Sequence, residues 1–181
     1  MALPYHKVNV LTGFKAAAEM KDPKPLAKVI KKASRPLLVI GPRALTVQIE
    51  GKSFIEYLVE IAKAADIPIC ATAHTKGKVE ELEATAESTY DIMEIINHLK
   101  DPEWKGLRGQ GCHDLVIFGG FRTDIGNQGL STLKHFAPHL RTMTLCKFYY
   151  PNATFSLPNF KKDEEWKALL EGLIQELKEA Q

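Results

Sequence analysis

Apolar positions along this chain fall into short unbroken runs separated by helically spaced stripes. The runs are Leu37-Leu38-Val39-Ile40, Ile67-Pro68-Ile69-Cys70-Ala71 and Leu115-Val116-Ile117-Phe118; Arg141 to Leu145 is a further strand, and Phe155-Ser156-Leu157 a weaker last one. Unbroken runs suit strands covered on both faces, as in a parallel sheet, where alternating runs would suit a half-exposed one. The stripes recur at helical spacing: Leu26, Val29, Ile30 and Ala33; Phe54, Leu58, Ile61, Ala62 and Ala65; Ile92, Met93, Ile96 and Leu99; Leu130, Leu133 and Phe136; and Trp166, Leu169, Leu170, Leu173, Ile174 and Leu177. Local punctuation agrees. Asp22-Pro23-Lys24-Pro25 opens the first helix with proline in its first turn. Ser53 to Glu56 has capping-box form, and Asp101-Pro102 stops the third helix. Strand, helix, strand, helix order with short crossovers predicts an α/β protein with a parallel sheet and right-handed connections. The expected architecture is one three-layer α/β/α Rossmann-like domain over residues 1–181, with residues 1–22 as an N-terminal arm.

Two of the runs look like versions of each other. Pro36-Leu37-Leu38-Val39-Ile40-Gly41-Pro42-Arg43 and Asp114-Leu115-Val116-Ile117-Phe118-Gly119-Gly120-Phe121-Arg122 both stop at glycine, with arginine two residues beyond. Open α/β sheets bind ligands outside the carboxyl ends of their strands, where strand order reverses. Candidate binding residues therefore sit in the strand-end loops: Gly41 and Arg43; Thr72 and Lys76; Gly119, Gly120 and Arg122. Amides near the glycines, helped by these cations, can hold a pyrophosphate or a carboxylate. The alternative is that the glycines serve tight turns and the arginines pair with acids such as Asp124. GxGxxG and GxxxxGK[ST] are both absent. Phe148-Tyr149-Tyr150 forms an aromatic cluster at another strand end, open to stacking on a flat ring, to partner contact or to a place on the core rim.

Composition narrows the class. Of 181 residues, 45% are hydrophobic and 25% charged, ordinary for a globular protein. Lys and Arg number 24 against 22 Asp and Glu, a net charge of +2 that points to neither nucleic acid nor a membrane surface. No run approaches the roughly 18 apolar residues of a membrane span. The first residues lack a signal-peptide core, so a cytoplasmic location is expected. Cys70, Cys112 and Cys146 are far apart, with no CxxC pair for zinc, redox or cluster chemistry. Cys70 and Cys146 are expected as buried thiols, and Cys112-His113 as loop. GxSxG and HExxH are missing. His135 and His139 are spaced i, i+4, but Pro138 between them breaks the helix that would align them. His74 lies in a candidate ligand loop. Lys28, Lys31, Lys32 and Arg35 form a basic face, either a docking surface or simply solvated. No catalytic residue and no metal site is expected.

The order Arg35 to Gly41, Ala65-Asp66-Ile67-Pro68-Ile69-Cys70-Ala71-Thr72, Lys76-Gly77 and Asp114 to Gly119 resembles the central domain of thiamine-diphosphate enzymes. That domain belongs to a nucleotide-binding fold group shared with deoxyhypusine synthase and electron-transfer flavoproteins, and in some thiamine enzymes it holds FAD. A resemblance covering nearly the whole chain is to the epsilon subunits of acetyl-CoA decarbonylase/synthase complexes. It rests on Asn9 to Ala17 with Gly13, the lysine-rich helix before Arg35 to Pro42, Ile67 to Ala73, Asp101-Pro102-Glu103-Trp104-Lys105-Gly106-Leu107, Asp114 to Gly119, and Phe155-Ser156-Leu157-Pro158-Asn159.

This resemblance implies a partner-dependent role in the carbon monoxide dehydrogenase component of the complex. There a large alpha subunit carries a nickel–iron–sulfur cluster that oxidises CO or reduces CO2, and epsilon packs against it in an alpha-two epsilon-two assembly. Epsilon's implied part is stabilising, with assistance in electron transfer to FAD. A non-catalytic accessory subunit is thus expected, with FAD or another adenine dinucleotide as its candidate ligand and a homodimer as one state of the isolated chain. The alternative is a free-standing nucleotide- or flavin-binding enzyme using the strand-end crevice.

Overall fold

The structure, a computed structural model, describes residues 15–72 and 74–179. In chain order the elements are β1 (Ala18–Glu19), α1 (Pro23–Lys32), β2 (Pro36–Ile40), α2 (Arg43–Thr46), β3 (Gln48–Ile49), β4 (Lys52–Ser53), α3 (Phe54–Ala64) and β5 (Ile69–Ala71). They continue with α4 (Thr75–Glu81), β6 (Ala86–Ser88), α5 (Ile92–Lys100), β7 (Leu115–Gly119), α6 (Thr123–Phe136), β8 (Arg141–Thr144), β9 (Phe155–Ser156) and α7 (Asp163–Lys178).

Local chemistry sets the helix starts. The Asp22 carboxylate accepts the Lys24 amide at 2.9 Å ahead of α1, and the prolines after it occupy positions whose amides would be orphaned anyway. At α3 the Ser53 amide donates to Glu56 at 3.0 Å, and this contact with the Ser53 hydroxyl draws the Glu56 carboxyl below its usual range. Asp91 accepts the Met93 and Glu94 amides, both at 2.8 Å, to start α5.

Seven strands form one sheet in the order β1-β9-β8-β7-β2-β5-β6, every neighbouring pair parallel. From β2 the chain winds outward through β5 to β6. It then crosses back to β7, on the other flank of β2, and winds outward through β8 to β9. This is doubly wound Rossmann-like topology, and its switch point lies between β2 and β7. These two strands carry the buried runs: Leu37, Leu38, Val39, Ile40, Leu115, Val116 and Ile117 are fully inaccessible. Each such side chain contributes about 1.5–3 kcal/mol of burial. Polar residues in β8 and β9 are paired to each other, as in the Thr144 hydroxyl donating to Ser156 Oγ at 3.0 Å.

Several elements exceed what the pattern predicts. Helix α6 is 14 residues long and starts well ahead of the Leu130, Leu133 and Phe136 stripe, because Gly126 and Gly129 are on its buried side, where periodic counting finds no apolar side chain. A Cβ on Gly126 would lie 2.8 Å from Tyr150. The segment from Thr75 is helix α4, not loop, with only Thr75 and Val79 buried. Strand β6, Ala-Glu-Ser, has no strand-like composition and exists through its pairing with β5. Of the expected arm 1–22, residues 1–14 lie outside the described residues. Ala18–Glu19 run as an edge strand, with the Ala18 amide donating to the Thr154 carbonyl at 2.9 Å.

Candidate functional site

The carboxyl ends of β2 and β7 meet at the switch point, and the two glycine turns there are locked together. The Gly41 amide donates to the Gly119 carbonyl at 2.7 Å and the Arg43 amide to the Gly120 carbonyl at 2.9 Å. A Cβ on Gly41 would stand 2.5 Å from the Gly120 oxygen; one on Gly120, whose φ is +79°, would stand 2.5 Å from Ala44 Cβ. Glycine is required at both positions by this close approach of backbone to backbone. The Tyr150 hydroxyl donates to the Phe121 carbonyl at 3.1 Å. A pyrophosphate cradle needs unspent amides. The Gly41 and Arg43 amides are spent on the opposing turn, and turns close enough for a Cβ on Gly41 to stand 2.5 Å from the Gly120 oxygen leave no room for a pyrophosphate between them.

The other predicted binding residues gather loosely around these turns. Thr72 is buried, its hydroxyl donating to the Ile40 carbonyl at 2.8 Å. Arg43 is exposed, near enough for its charge to act on the Cys146 thiol and the Tyr150 phenol. Arg122, at the start of α6, forks onto the Asp124 carboxylate at 2.7 and 3.2 Å, and that contact holds the Asp124 carboxyl below its usual range. Lys76, in the first turn of α4, stands 3.7 Å from Glu80. What projects outward at this edge is three exposed cations, two of them partnered by acids.

The aromatic cluster divides among its three expected roles. Tyr150 is core, its phenol pushed up by burial. Tyr149 is half-buried and ties down the N-terminal strand by donating to the Ala17 carbonyl at 2.8 Å. Phe148 alone is 55% exposed. Cys70 and Cys146 are buried, and burial raises both thiols, Cys70 to about 11. Neither presents a thiolate near neutral pH. Among the described residues, no three His, Cys, Asp or Glu side chains come together as a metal ligand set. No helix there is long and apolar enough to cross a membrane.

At the opposite, amino edge of the sheet a cavity of about 690 Å³ opens between the end of α1, the end of α3 and the loop before β7. The Asp114 carboxylate accepts the Ser34 and Arg35 amides, both at 2.8 Å, and so ties the start of β7 to the start of β2. The Arg35 Nε donates to the Cys112 carbonyl at 2.6 Å. The Leu107 amide donates to His113 Nε2 at 3.3 Å, so Nδ1 carries the proton and donates to the Arg35 carbonyl at 3.0 Å. Burial lowers the His113 pKa and keeps this ring neutral. Trp104 stacks on His98 with centroids 5.1 Å apart and leans on His113 at 5.5 Å. Sequence reasoning took Cys112-His113 only as loop. The available signal was the two pairs of polar residues, Ser34-Arg35 and His113-Asp114, each standing just ahead of one of the twin strands.

Comparison with known proteins covers nearly the whole chain. The family described as CO dehydrogenase beta subunit/acetyl-CoA synthase epsilon subunit matches residues 1–174. The acetyl-CoA decarbonylase/synthase complex subunit epsilon of Methanothermobacter thermautotrophicus is 44% identical over 168 residues, 93% of this chain and 92% of the relative. Subunit epsilon 1 of Archaeoglobus fulgidus is 38% identical over 156 residues, 86% of this chain and 80% of its own. Subunit epsilon 1 of Methanosarcina barkeri is 37% identical over 148 residues, 82% of this chain and 83% of its own.

Proposed function

The chain belongs to the CO dehydrogenase beta subunit/acetyl-CoA synthase epsilon subunit family, and from that premise we propose that it serves as the epsilon subunit of an acetyl-CoA decarbonylase/synthase complex. One observation carries this: identity to named epsilon subunits runs nearly end to end on both sides, 93% and 92% in the first case. Its role is accessory. It packs against and steadies a large nickel–iron–sulfur alpha subunit in an alpha-two epsilon-two assembly, and the alpha subunit performs the chemistry on CO and CO2. The absence of catalytic motifs from the sequence supports that division of labour.

A docking face for the large subunit is supported by helices α5 and α6. Ile125 and Phe136 lie about three helical turns apart, hence on one side of α6, and are 37% and 68% exposed. Met93 on the neighbouring α5 is 60% exposed. Assistance to FAD belongs to the same reading only as an encounter with the exposed Arg43, Lys76 and Arg122 side chains, since the turn amides are committed. No step is routed through a dinucleotide held there.

Purification of the chain from its own cells under anaerobic conditions tests the assignment. A large nickel- and iron-containing protein should elute with it in equal amount. Elution alone, at the mass of a monomer or a homodimer, would overturn the assignment, and turnover of a flavin or nucleotide substrate by that isolated chain would favour a free-standing enzyme.

A further inference from the structure

We propose that the cavity at the amino edge of the sheet binds a small, multiply charged oxyanion, a phosphate or polycarboxylate compound. This is independent of the assignment to a complex, and it lies at the end of the sheet remote from the strand-end loops.

The cavity walls carry Lys31, Arg35, Lys105 and Arg108 against a single carboxylate, Asp66. Arg108 is largely satisfied, lying 2.6 Å from Glu87 and 3.4 Å from Asp66. The remaining three cations make no ion pair among the described residues. Arg35 is the best placed of them. Its amide is held by Asp114 and its Nε by the Cys112 carbonyl, which leaves the two terminal nitrogens of the guanidinium for a ligand. Gly111, at φ +117°, lets the loop lie against that guanidinium: a Cβ there would come 3.6 Å from Arg35 Cζ. A guanidinium fixed in this way loses little side-chain freedom on binding, and its planar fork matches a phosphate or carboxylate.

The rest of the wall suits an anion as well. Ile30, Ala33, Ala64 and Leu177 form an apolar flank, which lowers the local dielectric and strengthens charge contacts. His113 is neutral, with both ring nitrogens engaged, and so adds shape without competing charge. The volume, about 690 Å³, lies within the range of roughly 300–1,000 Å³ typical of small-molecule sites.

Calorimetry at low salt with inorganic pyrophosphate and, separately, citrate tests this on the full chain. At least one should bind with one site per chain, and the tighter of the two names the phosphate or the carboxylate source. Lys31→Glu with Lys105→Glu should weaken it tenfold or more. Arg35→Lys, which keeps the charge and loses the fork, should also weaken it. A control of equal charge change outside the cavity, Lys161→Glu with Lys162→Glu, should leave affinity within twofold. Failure of both probes to bind the unmodified chain would overturn the proposal, as would equal losses in the control. Thermal midpoints of all variants confirm that the fold is intact.

Discussion

Replacing Gly41 with alanine tests how the switch point is built. The added methyl group would stand 2.5 Å from the Gly120 oxygen, 2.7 Å from the Phe121 ring and 2.8 Å from the Gly120 carbonyl carbon. Two of those neighbours are backbone, so the turns must part. Parting them lengthens or breaks the bonds from the Gly41 and Arg43 amides, now 2.7 and 2.9 Å. Each buried group left unpaired costs about 1–3 kcal/mol, which for the two amides gives a loss of about 2–6 kcal/mol from a total of about 5–15 kcal/mol for such a domain. Urea unfolding should show the midpoint falling with an unchanged slope, the mark of a pure stability loss. Gly77→Ala is the internal control. It lies in α4 with nothing within 4 Å of its would-be Cβ, so a gain of about 0.5 kcal/mol is expected from helix propensity. A Gly41→Ala loss below about 1 kcal/mol would refute the interlock. It would also return the turn amides to a dinucleotide, since turns that open cheaply can admit a pyrophosphate.

Three further outcomes follow from other parts of the structure. Arg43→Ala with Arg122→Ala should abolish whatever FAD or ADP binding calorimetry detects, because both side chains are exposed and the fold does not depend on them; undiminished affinity would remove the arginines from any such site. Phe136→Ser should weaken capture of the large subunit about tenfold while leaving the urea midpoint in place, and undiminished capture would move the docking face elsewhere. His113, held neutral by burial and titrating below its ordinary 6.5, should make stability fall as pH drops below about 6.5. In that window the unfolded chain takes up a proton that the folded chain refuses. His113→Gln should be less stable at pH 7.5 yet flatter between about pH 7.5 and 5.5; a parallel decline would assign the pH dependence to other groups.

The sheet was legible because burial on both faces leaves an unbroken apolar run, and β2 and β7 are such runs. Capped amphipathic helices were legible for a similar reason, as at Ser53 and Glu56. Elements held by tertiary context were not. Strand β6 borrows its conformation from β5, and α6 buries glycines that carry no hydrophobic signal. The candidate site residues were legible in position, and the use of their backbone was not. Gly41, Gly119 and Gly120 do lie at the switch point. Nothing in a one-dimensional pattern distinguishes a glycine that admits a phosphate from one that admits another backbone. Only the 2.5 Å approach of a hypothetical Cβ to Gly120 reveals the second case. The arginines were equally ambiguous, and Arg122 settles on Asp124, two residues along.

Why the space lies at the amino edge follows from what begins the strands there. A cavity against strand starts would ordinarily leave backbone amides facing it, each needing a partner. Strand β2 starts at Pro36 and Pro68 precedes β5, and both residues line the cavity. Proline has no amide hydrogen, so these two positions present no orphaned donor to the space. The Ser34 and Arg35 amides are taken by Asp114. At this wall the donors facing the cavity are side-chain cations: Arg35 held by Cys112, Arg108 by Glu87 and Asp66, Lys31 by the Glu176 carbonyl, and Lys105. At the carboxyl edge, by contrast, the Gly41 and Arg43 amides are taken by the opposing turn. The two glycine turns therefore close on each other at the switch point, while at the amino edge proline removes the cost of leaving space open.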